Sequence, residues 1–163
     1  MKRALLPLII ISVAAIFLAA WLVVPNFMTA MNRSRQHRTM ADMRTIATAL
    51  EARAGDTGSY SFGPAGREKH PVEQRRRLSD LARALEPKYV RKLPLTDSWG
   101  TPFQISVSDY DDAGRAQTYV IRSLGSDGRP DRVLNLASGS TTNFADDLIY
   151  SNGSFIRYPE AAG

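Results

Sequence analysis

The sequence predicts an α+β protein in which a long N-terminal helix, transmembrane at first and amphipathic later, packs on a small antiparallel sheet. Three observations carry this. Ala4 to Val24 run without a charge. From Phe27 to Ala54 apolar residues recur in steps of three or four, apart from the polar stretch of residues 32–39. Short strand patterns come after them, the last two flanking Asn152-Gly153.

The uncharged run "ALLPLIIISVAAIFLAAWLVV" would be about 31 Å long as a helix, the thickness of a bilayer's hydrocarbon core. A cleaved signal peptide has a shorter apolar core and a small-x-small end. Leu18-Ala19-Ala20 puts leucine where the first small residue belongs, so a retained anchor over residues 1–25 is expected, followed by one α+β domain over residues 26–163. Lys2 and Arg3 precede the run, and Arg33, Arg35, Arg38 and Arg44 follow it. Local charge alone would turn the following side to the cytoplasm, although long folded domains translocate regardless of it.

Pro25 bends such a helix without ending it. Beyond it Phe27, Met31, Met40, Met43, Ile46, Ala47, Leu50 and Ala54 form a stripe, and Gly55 with "DTGS" supplies the stop. "SYSFGPAGREKHP" is loop chemistry. A second helix is expected from Val72 to Leu85, with Leu78, Leu81, Ala82 and Leu85 on one face and Pro87 closing it. Strands are expected at Phe103–Val107, Thr118–Arg122, Leu148–Ser151 and Ser154–Tyr158. Asn152-Gly153 suits a type I′ hairpin turn, whose two central residues need positive φ.

The chain has no cysteine, which excludes disulfides, a thiolate nucleophile and cysteine-ligated metal. Neither "SRQHR" around His37 nor "EKHPV" around His70 gives the histidine an obvious acidic or serine partner by sequence, so no catalytic pairing is expected and the protein reads as a non-enzyme. Arg75-Arg76-Arg77 has no aromatic platform beside it and reads as a solvated helix face, with no nucleic acid expected. Residues 26–92 carry 14 Lys/Arg against 7 Asp/Glu, and residues 93–163 carry 5 against 9. This split either attracts neighbouring copies or belongs to a solvated helix followed by acidic loops. "DYDDAGRAQTYV" fills only part of an EF-hand pattern and reads as a hairpin loop.

"SLGSDGRPD" is different. Asp127 and Asp131, with Asp146 and Asp147 beyond "VLNLASGSTTN", either gather with turn carbonyls around a hard cation, which takes six to eight oxygens, or only cap turns.

Several stretches together resemble the major pseudopilin family of type II secretion systems, over most of the chain. "VVPNFM" is similar to the end of the family's apolar helix. "ALEARAGDTGSYS" resembles ALxxYxxDxGxYP, with Arg53 for the aromatic and Ser61 for the proline. "TDSWGTPF" resembles DPWGxPY, with Ser98 for the first proline and Phe103 for the tyrosine. "SLGSDG" is similar to SLGADG, which opens the family's calcium loop.

The resemblance implies a pilin-like fold and a structural subunit of a type II secretion or pilus-like assembly. It implies a single-pass protein of the bacterial inner membrane with its C-terminal domain in the periplasm. Its partners would be copies of itself, other pseudopilin-like subunits, inner-membrane secretion components and lipid, joined into a filament. It also implies calcium, held by the Leu124 carbonyl, the Asp127 carboxylate and Asp146 or Asp147. Aligned on "VVPN", Arg3, Ala4 and Leu8 stand where the family has the glycine and phenylalanine of its cleavage site and a glutamate. The expectation is therefore a pseudopilin-like protein with an atypical N-terminus. The alternative is an uncleaved, membrane-anchored envelope binding protein that uses the fold without forming a filament.

Overall fold

The computed structural model describes residues 2–62, 71–131 and 139–160; within residues 2–23 and 71–77 it describes the backbone and, of the side chains, Val13 and Trp21. Contacts divide the chain into two units, Met1–Ser34 and Arg35–Gly163. Helix α1 (Lys2–Thr57) continues through Pro25. Among the described residues no helix is long and apolar enough to cross a membrane. The expected span Ala4–Val24 is helical, but apart from Val13, Trp21 and Val24 its side chains lie outside the described residues.

In the first unit Trp21, Val24, Phe27, Met28 and Met31 are all exposed. Their spacing of three and four places them along one stripe of the helix.

In the second unit the helical periodicity is used for a core. Gln36, Thr39, Met43, Ile46, Ala47 and Leu50 are buried, the inward stripe of α1. Each large apolar member contributes about 1.5–3 kcal/mol by leaving water. Gly58, in the left-handed region at φ 69°, ends the helix, and its N–H donates to the Ala54 carbonyl at 2.7 Å. Helix α2 (Pro71–Leu85) buries Leu78, Leu81 and Leu85 in the same core, as its spacing predicts.

Five strands form one sheet: β1 (Gln104–Tyr110), β2 (Ala116–Ser123), β3 (Gly139–Thr141), β4 (Leu148–Ser151) and β5 (Ser154–Pro159). Their order is β1-β2-β4-β5-β3. Four of them fall on the expected strands. The expectation of a wholly antiparallel sheet is corrected by β3, which runs parallel to β5. This strand consists of Gly139, Ser140 and Thr141, which carry no alternation of apolar and polar residues. Asn152 and Gly153 have φ 45° and 85°, the hairpin geometry their pairing predicts.

Ile105, Tyr119, Ile121, Leu148 and Tyr150 lie in the core with Met43, Ile46 and Leu50. Tyr119 is fully buried and ties three elements together. Its hydroxyl donates to Glu51 Oε1 on α1 and accepts the Gly153 N–H at 3.1 Å. Its own N–H donates to Asn152 Oδ1 at 3.1 Å. Burial first, and the Glu51 carboxylate second, push its phenol well above the usual tyrosine range, so it remains a donor. Tyr119→Phe removes the hydroxyl and keeps the ring; urea unfolding is expected to show a loss of about 1–2 kcal/mol, and an unchanged midpoint would contradict this bridge.

Candidate functional site: two turns and an acidic loop on the outer sheet face

The segment Thr96–Phe103 folds back on itself around Asp97, a buried carboxylate. Asp97 Oδ1 accepts the N–H groups of Trp99 and Thr101 at 3.0 and 2.9 Å. The Asp97 N–H donates to the Thr101 carbonyl at 2.8 Å, and the Gly100 N–H donates to the Asp97 carbonyl at 3.0 Å. The sharp return uses Gly100 at φ 90°, which favours glycine. Phe103 then enters the core.

The other oxygen, Asp97 Oδ2, accepts the Ser123 hydroxyl at 2.7 Å. Ser123 ends β2 and leads into the 3₁₀ turn Gly125–Asp127. Gly125 lies at φ 66°, and a Cβ there would stand 2.6 Å from the Ala145 carbonyl oxygen and 2.7 Å from that of Asp146. The Ser126 N–H donates to the Phe144 carbonyl at 2.8 Å. Glycine at this position is thus what lets the turn lie against the segment before β4.

The carboxylates gather around two arginines. Asp147 is buried, and its Oδ2 accepts Arg122 Nε at 2.7 Å, Arg122 Nη2, and the Asp131 N–H at 3.1 Å. The Asp147 N–H donates back to Asp131 Oδ2 at 3.2 Å. Arg157 bridges two acids, with Nη1 on Asp131 Oδ2 and Nη2 on Asp146 Oδ2, both at 2.8 Å. Asp146 also accepts the Thr141 hydroxyl, and its Oδ1 accepts Asn143 Nδ2 at 3.1 Å. Burial pushes the Asp147 carboxyl above its usual range, with Arg122 opposing that shift.

Strand register brings the two guanidiniums together. Arg122 pairs with Ile149, and Ile149 pairs with Arg157; direct cross-strand partners share a face. Leu148 and Tyr150, on either side of Ile149, point into the core, so the row of Arg122, Ile149 and Arg157 lies on the outer face. The register shifts between Ile149 and Tyr150, so that Phe155 pairs with Tyr150 while Arg157 pairs with Ile149. This bulge turns Arg157 outward.

The residues expected to hold calcium are not gathered around one point. Leu124, expected to lend its backbone carbonyl, is a buried residue at the start of the 3₁₀ turn. Asp127 is exposed, with its Oδ1 accepting the Arg129 N–H of its own turn at 2.9 Å. Asp146 and Asp147 meet with Asp131, but around guanidiniums. Asp147 Oδ1 is buried without a hydrogen-bond partner among the described residues, a single open oxygen where such an ion takes six to eight. Among the described residues no group of three or more Asp, Glu or His is arranged to hold a metal. As placed, the described residues do not fit the implied ion. Residues 132–138, His70 and the side chains of Arg75, Arg76 and Arg77 lie outside the described residues.

The sequence model of the family described as type II secretion system (T2SS), protein G, matches residues 26–137. The chain belongs to this family. The match takes in α1 from Asn26, the Asp97 turn and the turn at Gly125, and it ends before Asp146, Asp147 and Arg157. Comparison with curated proteins and with solved structures finds no match.

Membership of the protein G family makes the departures from its motifs informative. Arg53 stands for an aromatic and Ser61 for a proline, and the two meet: Arg53 Nη1 donates to the Ser61 carbonyl at 2.7 Å. Ser98 stands for a proline, and its N–H, which proline lacks, donates to the buried Thr39 Oγ1 on α1 at 3.1 Å. Arg53, Ser61 and Ser98 each take part in a hydrogen bond at their departure.

Asp97→Ala would strand the Trp99 and Thr101 N–H groups and the Ser123 hydroxyl. The expected loss is about 3 kcal/mol in urea unfolding. Asp97→Asn keeps an acceptor for the two N–H groups and is expected to lose less. Equal losses for both would contradict this role for Asp97.

Proposed function

We propose that this chain is a structural, non-enzymatic subunit of a type II secretion assembly. In this reading Ala4–Val24 anchors it in the bacterial inner membrane, Arg35–Gly163 lies on the periplasmic side, and copies associate through α1. Membership of the protein G family supports the assembly. The observation that carries self-association is the exposed stripe of Trp21, Val24, Phe27, Met28 and Met31.

The same helix treats its apolar residues in two ways. Met43, Ile46 and Leu50 are buried in the chain's own core, while the stripe at 21–31 has no such cover from its own unit. In or near lipid, helices associate by close van der Waals packing, and a stripe at coiled-coil spacing suits the same stripe of a neighbouring copy. Its work is mechanical: holding subunits side by side while the outer domains present an ordered surface.

The chain's lack of cysteine makes the test clean. Single cysteines at Val24, Phe27 and Met28, on the stripe, and at Thr29 and Arg33, on the opposite side of the helix at 100° per residue, are introduced into the full chain in native membranes. Oxidation is expected to give disulfide-linked dimers from the first group far above the second, in amounts that fall when other secretion components are deleted. Absence of dimers at the stripe, or equal yields from both groups, would overturn the reading.

A further inference from the structure

We propose that Arg122 and Arg157 occupy, in this protein, the role that the family resemblance gives to calcium: a guanidinium clasp gathers Asp131, Asp146 and Asp147, and these acids come together without a divalent ion. The inference rests on side-chain geometry and holds whether or not copies assemble.

Three carboxylates, Asp131, Asp146 and Asp147, meet at the outer face of β2, β4 and β5. Left alone they repel, and in a partly buried place that repulsion is poorly screened. Two permanent positive charges reach all three. Arg122, 13% exposed, turns Nε and Nη2 onto Asp147, and Arg157, 22% exposed, spans Asp131 and Asp146. The planar fork of arginine allows one side chain to hold two acids at once. The bulge at Ile149/Tyr150 is what delivers Arg157 to this face.

Further donors engage these acids, while Asp147 Oδ1 has no hydrogen-bond partner among the described residues. Asp131 Oδ2 accepts the Asp147 N–H, and Asp146 is shared with Thr141 and Asn143. Asp127, the carboxylate the resemblance makes a calcium ligand, is turned onto the Arg129 N–H. To admit calcium, Asp147 and Asp146 would have to release their guanidiniums and Asp127 would have to swing in from solvent. Because arginine keeps its charge at every physiological pH, the clasp is indifferent to ion supply.

The test is thermal unfolding of the purified full chain, once with chelator and once with millimolar calcium chloride, for the wild type and for Arg157→Gln. Arg157→Gln is chosen because it keeps the deeper Arg122–Asp147 pair and touches the more exposed of the two arginines. The expected result is the same wild-type Tm in both solutions, no saturable heat in calcium titration calorimetry, and a Tm lower by several degrees for Arg157→Gln in chelator. A wild-type Tm raised by calcium, or a saturable binding heat, would overturn the proposal. So would an Arg157→Gln protein that melts with the wild type.

Discussion

Carboxylates crowded at the outer face of the sheet set the condition on which the rest of the domain depends. Asp147 is almost wholly enclosed, and a bare buried charge is among the costliest things a fold can contain. Arg122 meets that need directly, and removing one partner of such a pair typically costs about 3–5 kcal/mol. The pairing requires β2, β4 and β5 to hold one register, which the inner face of the same sheet enforces. Ile121, Leu148 and Tyr150 are buried with Met43, Ile46 and Leu50 of α1, and a slip by one residue would turn that apolar set to water. The core thus positions the charges on the face where Ile149 lies, which is buried outside the core cluster.

The Asp97 turn belongs to the same arrangement. Its two oxygens hold the Trp99–Thr101 backbone on one side and Ser123 on the other, and Ser123 is the residue next to Arg122. Gly128 lies close to the same turn, where an added Cβ would stand 3.2 Å from Thr101 Oγ1. The two sequence signatures that most resemble the family therefore form one structural knot at the end of β2. That knot fixes the direction in which the chain leaves β2 toward the acidic loop.

The sequence made the helices and four strands legible because each carries a strong period or an unambiguous turn. Leu78, Leu81 and Leu85 recur at helical spacing, and Asn152-Gly153 accepts the positive φ that a two-residue hairpin requires. Strand β3 was not legible: three residues, Gly139–Thr141, are held by backbone pairing to β5 and have no apolar alternation to announce them. The acidic cluster was legible as a gathering of aspartates, but its counter-charge was not. Arg157 stands two residues after Phe155, so simple alternation puts it on the core side, and only the bulge reverses that. Arg122 gave a fainter signal, a lone arginine at an outward position in "TYVIRS" just before an acidic loop.

An experimentally determined structure of this chain, obtained from calcium-containing solution, tests the central claim most directly. The account predicts the Arg122 guanidinium on Asp147 and the Arg157 guanidinium spanning Asp131 and Asp146, as they stand with no ion supplied. A calcium ion ligated by Asp127, Asp146 and Asp147, with both arginines turned away to solvent, would contradict it.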